Sequence, residues 1–371
     1  MDILALEVAG YRSVRDVRLK LGRVNVLVGP NGSGKTNLYR ALYLLAAAAG
    51  GRLATSLADE GGMPSVLWAG PRGKGPARMT LGVELDGLAY ELAAGLIPPA
   101  MFPGGSAFDL DPHVKEERLW AVDARTRKRV ELMKRDNATV NARDAEGSRV
   151  VFPMEMSESE SVLAELREPH RFPVLSAVRQ VFLGWRFYHQ FRTDGDSPLR
   201  HPQVGTRTPV LSHDGRDLAA ALQTIHEIGD APALAEAIDR GFPGASLAIE
   251  TPPSGSGGRF AVTLKMREFQ RPFDARELSD GTLHYLALLA ALLSPRPPTL
   301  LALNEPEASI HPDLIEALAA LIARASRSSQ VWITTHSTAL AAAVERLTGA
   351  APIALEKVGG ATRVVGRGVV G

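Results

Sequence analysis

Apolar and polar residues alternate with a period of two near the N-terminus, which is typical of strands with one buried face. The alternation runs through Ile3–Val8 and Val14–Leu21, with a turn around Gly10–Ser13 between them. The mostly apolar segment Val24–Val28 predicts a short buried strand, and residues 37–49 have the apolar spacing of a helix. The chain therefore begins with three predicted strands followed by a helix.

Strand-like alternation returns between Met79 and Phe152 and predicts an antiparallel β region. The Pro- and Gly-rich stretch Ile97–Pro112 within it predicts a surface loop. Residues 157–168 place acidic side chains before an apolar stripe, which favours an amphipathic helix. Helical patterns continue over Val174–Leu183 and Asp217–Ile228.

The last third of the chain alternates densely between buried-strand and helix patterns. Its predicted elements are the strands Ser246–Glu250, Phe260–Met266, Thr299–Leu303 and Val331–Thr335 and the helices Leu283–Leu293 and Asp313–Ser326. No internal repeat or heptad run is present, so no long coiled-coil arm is expected. We expect one composite domain with an N-terminal lobe (1–155), a helical and β insertion region (156–275) and a C-terminal lobe (276–371).

Composition and charge narrow the class of protein. The 371 residues include no cysteine, which excludes disulfides and thiolate metal sites. The longest apolar stretches, Ala41–Ala49 and Leu286–Leu293, are too short to span a bilayer, and no signal-peptide pattern follows Met1. A net charge of +1 argues against nonspecific coating of nucleic acid. We expect a cytoplasmic protein without a membrane partner.

The segment Gly29–Thr36 matches the phosphate-binding loop pattern G-x-x-x-x-G-K-[ST], between a predicted strand and a predicted helix. Its glycines let backbone N–H groups point at phosphate oxygens, and the helix N-terminus adds its positive dipole end. Lys35 is expected to reach the β- and γ-phosphates, and the Thr36 hydroxyl to bind Mg²⁺. The predicted nucleotide-binding residues are Gly29, Asn31, Gly32, Ser33, Gly34, Lys35, Thr36 and Asn37.

Three further polar segments follow in a fixed order. Leu278–Thr282 opens a helical run, where a serine, a glycine and free N–H groups make a second anion site, although Ser-Asp-Gly is also a common helix cap. An apolar strand then ends in Asn304-Glu305-Pro306-Glu307, where P-loop enzymes place the acidic groups that hold Mg²⁺ and activate water. His336 and Ser337 follow the next predicted strand.

This order of motifs resembles the ATP-binding-cassette ATPases, and within them the SMC/RecF-like branch with its compact OLD/RecF-like proteins of AAA type. The residues that carry the resemblance are Tyr11–Ser13, Gly29–Asn37, Leu278–Thr282, Asn304–Pro312 and Thr335–Ser337. The resemblance implies an α/β P-loop NTPase fold of ATP-binding-cassette type, with a mixed sheet core, an antiparallel β subdomain and a helical lobe. It covers essentially the whole chain.

The resemblance also implies roles for single residues. Glu305 would polarise the attacking water, His336 would sense the γ-phosphate, and Arg12 would lie against the nucleotide. The signature turn, with Ser279, Asp280 and Gly281, would contact the γ-phosphate held by a second subunit. Two copies would then enclose two ATP molecules head to tail, with Mg²⁺ as the cofactor.

Two departures from the family pattern affect the expected metal site. Asn304 stands where the general pattern has Asp; its amide can still accept a hydrogen bond from a Mg²⁺-bound water, but one negative charge is lost. We therefore expect weaker metal affinity or slow turnover rather than none, because Glu305 is intact. The glutamine of the family's Q-loop is not assigned by sequence, and the candidates are Gln180, Gln190, Gln203 and the substitute Glu160.

Two groups of basic residues could contact DNA phosphates. The first comprises Arg125, Arg127, Lys128, Arg129, Lys134 and Arg135. The interspersed Glu131 and Asp136 favour the alternative of a solvated hairpin face. The second group, Arg192, Arg200 and Arg207, belongs to a predicted polar loop over residues 193–210.

The leading functional hypothesis is an ATP-driven switch in DNA repair, DNA maintenance or phage defence. The main alternative is a regulatory ATPase that controls a separate effector protein without binding DNA. A transporter ATPase fits less well, because of the strand-rich region Met79–Phe152 and the Asp-Gly-Thr ending of the signature. A scaffold without ATPase activity fits least, since Lys35, Ser279, Glu305 and His336 are all present.

Overall fold

The structure is a computed structural model that describes residues 1–71, 77–97, 107–152, 156–251 and 258–365. The chain divides into two compact units. The first contains Met1–Gly22, Leu27–Trp185 and Ile353–Gly371, and the second contains Arg23–Val26 and Arg186–Pro352. These units divide the chain at positions that differ from the boundaries of the three predicted lobes.

The strands of the described residues are β1 (Ile3–Tyr11), β2 (Val14–Lys20), β3 (Val24–Val28), β4 (Arg78–Leu85), β5 (Leu88–Gly95), β6 (His113–Val122), β7 (Arg129–Asp136), β8 (Thr139–Arg143), β9 (Arg149–Phe152), β10 (Arg186–Tyr188), β11 (Gln203–Val204), β12 (Ser246–Glu250), β13 (Arg259–Lys265), β14 (Phe273–Asp274), β15 (Leu300–Asn304), β16 (Gln330–Thr335), β17 (Ile353–Val358) and β18 (Ala361–Val365). The helices are α1 (Lys35–Ala49), α2 (Leu53–Ala58), α3 (Met63–Val66), α4 (Val162–Glu165), α5 (Pro173–Leu183), α6 (Leu218–Ile228), α7 (Ala231–Gly241), α8 (Asp280–Leu292), α9 (Ile315–Ala325) and α10 (Thr338–Thr348).

The first unit is built on an eight-stranded antiparallel sheet with the strand order β2-β1-β4-β5-β6-β7-β8-β9. Helix α1 is buried along most of its length and packs near β1, α2, α4 and α5. It ends at Ala49, Gly50 is its C-cap, and Gly51 follows with a φ of 70°, an angle that favours glycine. The end of β3 pairs in parallel with β17, which continues into the antiparallel hairpin β17–β18.

The second unit contains a parallel sheet in which β15 lies between β10 and β16. Arg23, just before β3, accepts a hydrogen bond from Val331 at 2.8 Å. A smaller antiparallel sheet has the order β11-β13-β12, with β14 on β13. Because the strands β10, β15 and β16 run in the same direction, the residues that follow them gather at one edge of the sheet.

The fold class is confirmed as α/β with an antiparallel region and a mixed sheet. Within residues 157–168, however, only α4 is helical, so the prediction of one long amphipathic helix was wrong. Two carboxylates of this segment accept hydrogen bonds from backbone N–H groups: Glu165 accepts from Ser157 N at the start of the segment, and Glu160 accepts from the N–H groups that begin α2. Strand β10 was not predicted, because three residues carry too little pattern.

Residues 98–106 of the predicted loop Ile97–Pro112 lie outside the described residues, as do residues 252–257. Among the helices that the structure does describe, none combines the length and apolarity needed to cross a bilayer.

Candidate nucleotide site

The phosphate loop of the first unit has the backbone that its glycines predict. Gly29, Gly32 and Gly34 have φ angles of 151°, 76° and 105°, which favour glycine. A Cβ on Gly34 would lie 2.0 Å from Thr362 Oγ1, so a side chain has no room there. No side chain caps the N-terminus of α1, which leaves its first N–H groups directed at the loop.

The loop's own polar side chains fit a bound triphosphate. The buried ammonium of Lys35 donates to the carbonyl oxygens of Gly29 at 2.6 Å and Pro30 at 3.2 Å. These contacts hold the charge inside the loop, where phosphate oxygens would sit. Ser33 Oγ is buried and, among the described residues, lacks a hydrogen-bond partner. Such an orphaned hydroxyl is satisfied by an anionic ligand.

The turn between β1 and β2 lies at the start of α1. Asn37 Nδ2 donates to Ser13 Oγ at 2.8 Å, and Ser13 Oγ also lies 2.8 Å from Thr362 Oγ1. The neighbouring Arg12 has a φ of 48° and forms a 2.8 Å ion pair with Glu60. The position of Arg12 against the nucleotide stays an expectation from the resemblance, and the sequence did not indicate Glu60 as its partner.

Glu60 also accepts a hydrogen bond from the Tyr11 hydroxyl at 2.6 Å. Burial, together with the nearby carboxylate, raises the pKa of Tyr11 above its ordinary value, so the phenol keeps its proton and donates. Glu60 is thus held by the Tyr11 hydroxyl, and it in turn fixes the guanidinium of Arg12.

In the second unit, Asn304 ends β15 with its amide tied to both neighbouring strands. Its Oδ1 accepts from Thr334 Oγ1 at 2.8 Å, and its Nδ2 faces the carbonyl oxygen of His189 at 3.5 Å. A carboxylate could accept the first bond but could not donate the second. Asn304, which departs from the family pattern, can therefore both accept from Thr334 and donate to His189, whereas Asp could only accept.

Glu305 and His336 meet at the same sheet edge. Glu305 Oε1 lies 2.9 Å from His336 Nε2, and both side chains are more than a third exposed. Glu305 has a φ of 49°, and its N–H donates to the carbonyl oxygen of Thr334 at 2.8 Å. An uncommon backbone conformation held by the next strand thus presents the carboxylate to solvent.

Glu307 fixes the segment that carries His336, a contact that the sequence did not reveal. Its Oε1 accepts from Thr335 Oγ1 at 2.5 Å, His336 N at 3.0 Å and Ser337 N at 3.2 Å. Its Oε2 is buried without a partner among the described residues. The two carboxylates therefore have different roles in the structure. Glu305 is exposed at the sheet edge, whereas Glu307 accepts hydrogen bonds from the backbone of His336 and Ser337.

The signature turn, Leu278–Thr282, forms a capped helix start. Ser279 is the N-cap of α8, and its hydroxyl accepts from Thr282 N at 3.2 Å. A Cβ on Gly281 would lie 2.4 Å from the carbonyl oxygen of Ser309, a residue that itself has a φ of 64°. The turn therefore packs directly on the segment after Glu307.

The structure places the four Q-loop candidates in different surroundings. Gln190 is exposed two residues after β10, at the edge that also carries Asn304. Gln203 is buried and bonds to Pro198 O and Ala219 N. Gln180 lies on α5 of the first unit, and Glu160 accepts from the N–H groups that begin α2. Of the two candidates in the second unit, Gln190 is the one that follows a strand paired with β15.

Most of the basic residues proposed for DNA have partners within the protein. Arg127 pairs with Glu84 and Lys134 with Asp136, while the guanidinium of buried Arg135 donates to three backbone carbonyls. In the polar loop, Arg192 pairs with Asp194 and Arg207 with Glu227. Arg200 is largely buried and bonds to the segment before α8. These contacts favour the interpretation that most of these basic side chains pair with groups of the protein itself rather than with DNA phosphates.

Within the described part of the chain, no three His, Cys, Asp or Glu side chains converge on a possible metal site. A magnesium ion here would need oxygen atoms from the triphosphate and water beside the Thr36 hydroxyl, which is the arrangement that P-loop sites use. The uncapped α1 and the orphaned Ser33 hydroxyl fit the triphosphate part of that arrangement.

The phosphate loop between β3 and α1 defines the class of the protein as a P-loop ATPase. A family model described as "AAA domain, putative AbiEii toxin, Type IV TA system" matches residues 24–342. The chain belongs to this family. No curated protein matches the chain.

Solved structures of SMC head domains share the fold. One is an SMC head bound to the C-winged helix domain of ScpA, with 16% identity and a TM-score of 0.56, covering 100% of this chain and 99% of that one. Another is a Pyrococcus furiosus SMC head bound to the C-terminal domain of ScpA, with 13% identity, a TM-score of 0.55 and coverages of 99% and 96%. The Pyrococcus yayanosii SMC head is 11% identical, with a TM-score of 0.52 and coverages of 98% and 96%.

Proposed function

We propose that this protein hydrolyses ATP in a head-to-tail dimer, and that the ATP-bound dimer acts in DNA repair, DNA maintenance or phage defence. The observation that carries the proposal is the 2.9 Å contact between Glu305 and His336 at the end of two parallel strands. A carboxylate beside a histidine at this edge is suited to activate water next to a γ-phosphate.

The proposed reaction assigns separate tasks to the chain's residues. Lys35 and the N–H groups of the phosphate loop would hold the β- and γ-phosphates, and the Thr36 hydroxyl would hold Mg²⁺, which would neutralise phosphate charge when bound. At the end of β15, the polar side chains of Asn304 and Gln190 could accept hydrogen bonds from water bound to a metal. Glu305 takes a proton from the attacking water. The water oxygen bonds to the γ-phosphorus as the bond between the γ-phosphorus and ADP breaks, and His336 donates a hydrogen bond to the γ-phosphate.

In the dimer, the signature turn of each copy would complete the phosphate site of the other. Ser279 caps α8, a 13-residue helix whose N-terminus suits an anion. ATP would then act as part of the interface, and hydrolysis would release the two copies.

The proposal is tested with wild type, Lys35→Ala and Glu305→Gln. Wild type should release phosphate with Mg²⁺, and both variants should lose activity by about 100-fold or more, as expected for removal of a phosphate ligand or general base. Glu305→Gln should still bind ATP and sediment as a dimer. Sedimentation as a monomer at saturating ATP would refute the dimer, and unchanged hydrolysis by Glu305→Gln would refute the assigned base.

A second candidate is a regulatory ATPase that controls a separate effector protein without direct DNA binding. Internal pairing of Arg127, Lys134, Arg192 and Arg207 supports it, since these charges are not free for phosphates. SMC heads also bind protein domains, as the complexes with ScpA indicate. Salt-dependent binding to duplex DNA, with DNA-stimulated hydrolysis, would favour the DNA role; a stable protein partner without DNA affinity would favour the effector role.

A further inference from the structure

Arg200 joins the polar loop of the second unit to the segment that leads into α8. Its side chain is only 12% exposed, although it carries a permanent charge. Its N–H groups donate to carbonyl oxygens of Thr193 at 2.8 Å, Ala275 at 3.3 Å, Arg276 at 3.1 Å and Leu278 at 2.8 Å. One guanidinium therefore fixes the backbone immediately before the signature turn.

The loop that carries Arg200 is itself anchored. Arg200 ends the 3-10 helix Pro198–Arg200, which Ser197 caps by accepting from Leu199 N at 3.1 Å. The buried amide of Gln203 donates to Pro198 O at 2.8 Å and accepts from Ala219 N at 2.7 Å. Through Gln203 the loop is attached to the first turn of α6. Ser197 and Gln203 therefore fix the position of the backbone that carries Arg200.

Asp280 places a negative charge in the signature turn, where a triphosphate is proposed to bind. It is the first residue of α8, its side chain is 61% exposed, and helix N-termini attract carboxylates as well as phosphates. A free carboxylate there would repel a triphosphate and compete with it for the helix N–H groups. Arg200 Nη2 binds Asp280 Oδ1 at 2.6 Å, which draws the carboxylate aside and compensates its charge.

We propose that Arg200 is a positioning residue for the signature turn, which it prepares for the triphosphate held by a second copy of this chain. The inference rests on the proposed dimer. Arg200 acts in two ways: it fixes the carbonyl oxygens before Ser279, and it neutralises Asp280. Lysine cannot replace it, because a single ammonium does not reach four carbonyls and a carboxylate at once.

The first test uses the nucleotide-free protein and does not depend on the dimer. Amide hydrogen exchange of residues 278–282 is measured in wild type, Arg200→Met and the control Arg207→Met, which removes an exposed arginine paired with Glu227. Arg200→Met should speed exchange there by about tenfold or more, since charge-assisted bonds are lost, while the control should not. Equal exchange in all three proteins would overturn the proposal.

The second test measures ATP-dependent association by sedimentation, with Glu305→Gln in every variant to prevent hydrolysis. Arg200→Met should leave binding of a fluorescent ATP analogue within about twofold but weaken dimerisation by about tenfold or more, because a charge in the interface is uncompensated. Adding Asp280→Asn should restore part of the lost association. An unrestored loss accompanied by a lower melting temperature would mean that Arg200 is merely structural.

The two tests separate the inference from the proposed function. If the Glu305→Gln protein with Arg200 intact stays monomeric at saturating ATP, the dimer is refuted. The exchange measurement then still decides whether Arg200 orders the signature turn.

Discussion

Replacing Glu307 with alanine removes the acceptor that fixes the backbone around His336. Three hydrogen bonds to one carboxylate oxygen are lost, from Thr335 Oγ1, His336 N and Ser337 N. Ser337 N retains Thr335 Oγ1 as a second acceptor at 2.9 Å, so about two bonds are lost without replacement. At about 1.5 kcal/mol for each bond to a charged group, we expect a loss of about 3 kcal/mol in unfolding free energy.

The effect on catalysis should exceed that on nucleotide binding. His336 touches Glu305 at 2.9 Å, and a displacement of the histidine by about 1 Å can lower kcat by about 100-fold. Phosphate release at saturating ATP measures kcat, and a fluorescent ATP analogue measures affinity for the phosphate loop. We expect a large fall in kcat, nearly unchanged nucleotide affinity and a lower thermal unfolding midpoint.

Two controls make this prediction specific. Glu307→Gln keeps an oxygen acceptor, so it should lose less stability and less activity than Glu307→Ala. Glu305→Gln removes the proposed base and should lower hydrolysis by about 100-fold or more. Because the side chain is more than a third exposed, the melting temperature should change little. Wild-type kcat and stability in Glu307→Ala would refute the reasoning, because the hydrogen bonds that Glu307 accepts would then be dispensable.

Three further predictions follow from single contacts. Gly281→Ala should weaken ATP-dependent dimerisation in sedimentation, since its Cβ would lie 2.4 Å from Ser309 O; an unchanged dimer would contradict this. Burial lowers the pKa of His284 below its ordinary 6.5, so the unfolded chain binds the proton first and stability falls as pH drops below about 6.5. Urea unfolding at pH 7.5 and 5.5 should therefore show a smaller pH effect in His284→Gln, and equal effects would argue against the buried neutral histidine. Asn304→Asp should lower the melting temperature, because a carboxylate cannot donate to His189 O, and a raised melting temperature would contradict this.

The predictions from local sequence and those from distant contacts fared differently. The phosphate loop and the strand before it were both predicted, because they depend on neighbouring residues and on backbone angles that glycine permits. The long helix over residues 157–168 was wrong, because Glu160 and Glu165 bind backbone groups that no local pattern reveals. The catalytic and signature roles remain predictions.

The sequence by itself determined the order of the motifs and the class of protein. Only the tertiary structure decided which side chains meet: Glu307 with the backbone at His336, Glu60 with Arg12, and Arg200 with Asp280. It also placed Gln190 at the sheet edge beside Asn304, because the short strand β10 lies in parallel next to β15. The physical reason is that spacing along one sequence encodes helices, strands and turns. The partner of a polar group, in contrast, depends on which distant strands become neighbours and in what register.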